Sequence, residues 1–292
     1  FAIQSEDDFD KLKFRERTVD RERTQRNKEL LEEIFGDILP VRIGGFDWFD
    51  PEEGYNPWLG NIYSGLTMDL FKMVGNGNLF MWVYDKPEFI HKLMRFITDD
   101  RIARYEWMEK EGLLYVNTNT YNPCPGSYGF VSDLPDKIEN VTRKDCWVWT
   151  DSQESASISP DMFNEYFLPY MKEICEPFGL AYYACCEAIH DRLQHVEKAI
   201  PNLRAVSVSG WNDFYKAGEM IGDKYVYSRK PTPAFISGAY PDWDLMKKDA
   251  QDTINSAKNC NLEFCFRDIY TINGDRARLA EWTKMVRKMI DN

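Results

Sequence analysis

The chain has 292 residues, 43% of them apolar and 15% aromatic, which is enough material for a large buried interior and unlike a disordered or fibrous sequence. Its 48 acidic residues against 36 basic ones leave a net charge of −12, which sets the field of the molecule against nucleic acid and anionic membrane surfaces as partners. No apolar run reaches the ~18 residues of a membrane span, and the opening Phe1–Asp10 lacks a basic-then-apolar signal, so a cytoplasmic protein without membrane contact is expected. The seven cysteines are odd in number and sit in apolar stretches, which reads as reduced thiols.

In chain order, the charged stretch Asp7–Arg26 reads as a solvated face or, less simply, a partner surface. Helical periodicity is expected over Asp20–Phe35, Leu66–Val74 and Pro87–Glu111, with strands at Ile38–Phe46, Leu79–Tyr84 and Leu113–Asn119, the second of these also readable as irregular. From Cys146 onward the alternation is regular. A strand at Cys146–Asp151 precedes a helix at Pro160–Phe178, which opens on an N-cap serine (Ser159) followed by a first-turn proline. Strand Leu180–Cys186, helix His190–Ile200, strand Ala205–Val208 and helix Asp213–Ile221 follow, then strand Tyr225–Ser228, helix Trp243–Lys258, strand Leu262–Phe266 and helix Asp275–Met289. Gly112, Gly179 and Gly222 stand just after helical runs, where a left-handed residue ends a helix. Eight strand segments alternating with helices predict an α/β chain with parallel strands, a TIM-type (β/α)8 barrel. No repeat or linker divides it, so residues 1–292 read as a single (β/α)-barrel domain.

In such a barrel the reactive groups follow the C-terminal ends of strands. The first such end, Trp149-Thr150-Asp151-Ser152-Gln153-Glu154, offers two carboxylates, either as general base and metal ligand or as loop caps. The second, Tyr183-Ala184-Cys185-Cys186-Glu187-Ala188-Ile189-His190, gathers two thiols, a carboxylate and an imidazole. That set suits zinc, unless the cysteines are small core residues and His190 belongs to the next helix. Alternation along a strand places Cys185 and Cys186 on opposite faces unless the strand ends early. The third end, Arg229-Lys230-Pro231-Thr232-Pro233, carries two cations for a carboxylate, phenolate or phosphate, or for charge balance. The fourth, Cys265-Phe266-Arg267-Asp268, carries a further thiol and carboxylate.

These readings give Glu154, Glu187, Lys230 and Asp268 as candidate catalytic residues. Trp48, Trp149, Tyr183, Trp211 and Arg229 are candidate substrate contacts, and Glu154, Cys185, Cys186, Glu187, His190 and Cys265 are candidate zinc ligands. No Walker loop, strand-linked GxGxxG or GxSxG elbow is present, which removes support for nucleotide cofactors and for a serine hydrolase triad.

Several of these runs resemble a known family. Ser159-Pro160-Asp161-Met162-Phe163-Asn164-Glu165-Tyr166-Phe167-Leu168-Pro169-Tyr170 is similar to a helix of the uroporphyrinogen decarboxylase superfamily. The Cys185-Cys186-Glu187 strand end, Trp211-Asn212-Asp213, Arg229 to Pro233 and Arg267-Asp268-Ile269-Tyr270-Thr271 look like those of a subgroup common in anaerobic bacteria. The resemblance runs from about Asp8 to the end of the chain. It implies a TIM-barrel-like fold and, in the corrinoid-linked O-demethylase branch, a zinc-assisted methyltransferase. Such an enzyme moves a methyl group from a small methoxylated or methylated substrate to the corrinoid (cobalamin-type) group of a partner protein. The alternative is a carboxy-lyase acting on a carboxylated substrate. The resemblance also implies an N-terminal segment that this chain lacks. Where relatives carry a His-x-Cys zinc motif this chain reads Tyr183-Ala184-Cys185, so the motif's histidine has no counterpart. A homo-oligomer is compatible with all of these readings.

Overall fold

The computed structural model describes residues 1–41, 43, 49–50, 54–55, 62–118, 127–137 and 139–291. A 3-10 turn at Glu6–Lys11 precedes helix α1 (Arg21–Phe35), and Phe49–Asp50 (β1) pairs antiparallel with Gly54–Tyr55 (β2). Two long helices, α2 (Leu66–Asp85) and α3 (Pro87–Lys110), lead into the alternating part of the chain. There the order is β3 (Trp147–Thr150), α4 (Pro160–Tyr166), α5 (Leu168–Cys175), β4 (Leu180–Tyr183), α6 (Leu193–Ala199), β5 (Leu203–Val208) and α7 (Phe214–Ile221). It continues through β6 (Val226–Arg229), α8 (Ala234–Ser237), α9 (Trp243–Ser256), β7 (Asn261–Phe264) and α10 (Ala277–Ile290).

Strands β3 to β7 form one five-stranded parallel sheet in sequence order. Parallel neighbours need a crossover, and each pair is joined through one or two helices, as the alternation predicts. The chain is therefore α/β. Beside β3 the sheet gains a further parallel neighbour that the sequence did not announce. Trp149 N–H donates to Ile62 O at 2.8 Å, Ser64 N–H donates to Trp149 O at 2.8 Å, and Tyr63 bridges Trp149 in parallel.

Period-two alternation divides the strands between two cores. Val148, Ala181, Tyr183, Val206, Val208 and Tyr227 face the helices in the main apolar cluster. Trp147, Trp149, Leu180, Tyr182 and Ala205 build a smaller cluster on the other face, joined by Cys185.

Three expected strands differ. Leu79–Tyr84 is helical, the second half of α2: Leu79, Trp82 and Val83 are buried while Met81 and Tyr84 are exposed, a three-to-four-residue spacing that a strand cannot produce. Gly75 (φ 80°, ψ 162°) interrupts this helix, and a Cβ there would lie 2.6 Å from the Phe1 ring. Residues 113–118 of the Leu113–Asn119 segment run beside β3 without a strand ladder. Asn117 holds them by its side chain, accepting from Trp147 N–H at 2.7 Å and donating to Trp147 O at 3.0 Å. Of Ile38–Phe46, residues 38–41 and 43 form no strand, and the rest lies outside the described residues. The expected single helix Pro160–Phe178 is two, α4 and α5, broken at Phe167 because Pro169 has no N–H and its ring crowds the preceding turn. His190 precedes α6 rather than opening it, since that helix starts at Leu193.

Candidate active site

Glu154, Glu187, Lys230 and Asp268 each follow the C-terminal end of a strand of the parallel sheet, and so lie at the same edge of it. The groups that converge most closely come from the loop after β4. That strand stops at Tyr183, and Ala184 takes a φ of 76°, a left-handed conformation that costs a non-glycine residue of order 1 kcal/mol. Both backbone groups of Ala184 are held from β3: its N–H donates to Thr150 O at 3.0 Å, and its carbonyl accepts from Trp149 Nε1 at 3.1 Å. Past this turn the in–out alternation no longer applies. Cys185 and Cys186 both line one cavity of about 400 Å3, together with Trp211, Lys230, Arg267 and Asp268.

The two sulfurs are 3.9 Å apart, and Arg267 Nη1 donates to Cys185 Sγ at 2.9 Å while its Nε donates to Asp268 Oδ2 at 2.9 Å. The Cys186 thiol is pulled down to about 7 by the hydrogen bond from Cys185, against the effect of burial and with help from the Arg267 charge. The Cys185 thiol is pushed up by that same bond and by burial. The loop carbonyls are held as well, with Ser207 Oγ on Cys185 O at 2.8 Å and Ser209 Oγ on Cys186 O at 2.7 Å.

The carboxylates divide by role. Glu187 is buried, and its two oxygens accept backbone N–H bonds from Ser152 at 2.8 Å and Cys185 at 2.9 Å, so it ties the ends of β3 and β4 together. Asp151 accepts from the Tyr63 hydroxyl at 2.8 Å. Burial, followed by the Glu187 and Glu154 charges, raises the Asp151 carboxyl well above its ordinary value. Tyr63 is raised too, first by burial and then by Asp151. Glu154 accepts from Thr67 Oγ1 at 2.7 Å and is pushed up by burial. Beneath this loop the buried Arg192 donates to Ser155 Oγ at 3.0 Å and to the carbonyls of Ser155 and Ile158 at 2.6 Å each, with Phe163 4.8 Å from its guanidinium.

The two cations of the third strand end part company. Lys230 lines the cavity, with Nζ donating to Ser228 Oγ at 2.7 Å and lying 5.6 Å from the Tyr182 ring. Arg229, expected as a substrate contact, points to the helix side: it is fully buried, paired with Asp249 of α9, and 4.2 Å from the Phe214 ring. Tyr183 is also on the helix side, its hydroxyl 2.9 Å from Ser152 Oγ. Trp149 is buried on the opposite face, stacked on Tyr63 with centroids 4.1 Å apart. Of the expected aromatic contacts Trp211 borders the cavity and is 80% exposed, leaving its face open to a ligand. Trp48 lies outside the described residues.

The six expected zinc ligands do not gather into one donor set. Zinc needs three or four donors around a point, and no group of three or more His, Cys, Asp and Glu side chains among the described residues is arranged to hold a metal ion. Glu187 spends both oxygens on backbone N–H groups, Glu154 is held by Thr67, and neither His190 nor Cys265 lines the cavity. The cation that meets Cys185 is Arg267.

Sequence reasoning passed over Tyr63, Thr67, Arg192 and Arg267. Tyr63 precedes and Thr67 opens the expected helix Leu66–Val74, away from any expected strand end, and neither carries a local signal. Arg267 stands at a strand end beside Asp268, which was signal enough. Among the described residues no helix is long and apolar enough to cross a membrane. No family model matches the chain, and no curated protein matches it.

Proposed function

We propose that this chain is an enzyme that moves a methyl group from a small methoxylated or methylated compound to the corrinoid group of a partner protein, working at the mouth of a (β/α)8-type barrel. The carrying observation is the convergence of two cations, Lys230 and Arg267, on one cavity of about 400 Å3 at the strand ends. When a methyl–oxygen bond breaks, the electron pair stays on the oxygen. Cations already fixed in place stabilise that developing charge without having to reorganise as it forms. Trp211, Pro231 and Pro233 supply an apolar wall for the rest of the substrate. The resemblance of the Ser159–Tyr170 and Arg229–Pro233 runs supports methyl transfer as the form of the reaction. Because the expected zinc ligands do not converge, no step here is routed through a metal.

The test is conversion of cob(I)alamin to its methylated form by the purified chain, followed by absorbance over a panel of methoxylated and methylated small molecules. Activity with at least one donor, reduced ~100-fold or more in Lys230→Met, is expected from loss of one electrostatic donor at the transition state. Absence of transfer with every donor, with and without added zinc, rejects the reading. A carboxy-lyase is the second reading, favoured by one observation: Asp151 is a buried carboxyl beside Tyr63 whose proton affinity burial raises well above the ordinary carboxylate range, which suits a donor of the proton that replaces carbon dioxide. Carbon dioxide release from a carboxylated panel distinguishes the two.

A further inference from the structure

The reading above leaves the two adjacent thiols without a part. They are not one in and one out, since the turn at Ala184 brings both to the cavity with their sulfurs 3.9 Å apart, Cys185 from the edge of the smaller apolar cluster and Cys186 partly exposed. We propose that Cys185 and Cys186 form a peroxide-sensitive dithiol, oxidised reversibly to a disulfide between the two neighbours and so acting as a modification site within the cavity. A hydroperoxide is the co-reactant because the cavity of about 400 Å3 admits it beside Cys186, the more exposed of the two.

In the first step the Cys186 thiolate attacks one peroxide oxygen. The sulfur–oxygen bond forms as the oxygen–oxygen bond breaks, and the departing hydroxide takes up a proton to become water, leaving a sulfenic acid. In the second step the Cys185 sulfur attacks the Cys186 sulfur. The sulfur–sulfur bond forms, the sulfur–oxygen bond breaks, and the leaving hydroxide takes the Cys185 proton as a second water. Two thiols and one hydrogen peroxide thus give one disulfide and two waters, with two electrons passing from the sulfurs to the peroxide.

Selectivity follows from burial. Cys146 and Cys175 are fully buried, whereas Cys186 is partly exposed and opens on the cavity, where a peroxide can reach it. Reversibility follows from covalent geometry. Neighbouring Cα atoms are ~3.8 Å apart, shorter than the usual ~4.4–6.8 Å separation of bridged cysteines, and a bridge strained in this way is more easily reduced. Closing it also takes the Cys185 sulfur away as an acceptor for Arg267. The effect on catalysis therefore rests on the proposed function, while the oxidation does not.

The experiment treats the whole chain with hydrogen peroxide and reads intact and peptide masses, so it is independent of any activity. The peptide carrying Cys185 and Cys186 is expected to lose two hydrogens and to recover them with dithiothreitol, while Cys146 and Cys175 remain alkylatable. In Cys185→Ser the same dose should leave Cys186 as a dimedone-reactive sulfenic acid. In Cys186→Ser oxidation at Cys185 should fall at least ~10-fold, because the thiolate is the attacking species. Gain of oxygens without loss of two hydrogens in the unaltered chain, or oxidation of Cys146 or Cys175 as fast as of the pair, overturns the proposal. If the disulfide forms but no methyl transfer is ever found, the function fails and this inference stands.

Discussion

Replacing Asp249 by alanine tests the placement of Arg229 most directly. The Arg229 side chain is 0% exposed and its partner Asp249 11%, so the variant leaves a guanidinium buried without its counter-ion. Removing one member of a buried pair costs ~3–5 kcal/mol. Here the remaining acceptors, Thr253 Oγ1 at 3.1 Å, Val208 O at 3.2 Å and the Lys230 carbonyl, keep the guanidinium hydrogen-bonded and favour the lower end of that range. A loss of about 3 kcal/mol at roughly 2–4 °C per kcal/mol lowers the melting temperature by roughly 6–12 °C. Circular dichroism melts and urea titration of the same preparations measure it. The paired replacement Arg229→Met with Asp249→Leu removes both charges and should recover most of the loss, since apolar substitutes for a buried pair are often neutral or stabilising. An Asp249→Ala protein melting within about 2 °C of the parent, where the scale above demands at least three times that, would show that Arg229 does not depend on Asp249.

Three further outcomes are expected. Iodoacetamide labelling of Cys186 should rise with pH through a midpoint of about 7, and Cys185→Ala should move that midpoint upward because the lowering bond is gone. Asp151 is raised in the folded state above its ordinary 3.8, so the folded protein holds a proton that the unfolded chain releases. Stability then falls as pH rises from about 4, and Asp151→Asn, which stays neutral, should lose that slope in urea titrations run between pH 4 and 7. Glu187→Gln turns an NH2 donor toward one of the two backbone N–H groups and leaves it without an acceptor, and a loss of about 1–3 kcal/mol in urea titration is expected.

Much of the fold was legible because several signals agreed along the same segments. Asp20, Ser159, Asp213 and Asp242 each accept a backbone N–H at a helix start, and β3 to β7 are apolar segments, each followed by a helical one. Leu79–Tyr84 was not legible, because a six-residue apolar run suits a strand or a buried helix turn equally, and packing of α2 against α3 decides between them. The parity of Arg229 could have been read. With Ser228 and Lys230 on the cavity side, alternation puts the arginine between them on the other. The placement of the thiols was legible only as a condition, that the strand end early; it ends at Tyr183, and nothing in the residue alanine announces the positive φ at Ala184 that ends it.

That turn separates two kinds of inheritance in the chain. Upstream of Ala184 every side chain answers to the parity of the sheet, so exchanging a residue in β4 exchanges a piece of one core or the other. Downstream the loop hangs by its own backbone groups from Thr150 O, the Trp149 indole, the Ser207 and Ser209 hydroxyls and Glu187, and none of those bonds reads the identity of the side chains at 185 and 186. The scaffold can therefore trial new chemistry most freely at the partly exposed position 186, while position 185 still answers to the smaller cluster and to Arg267.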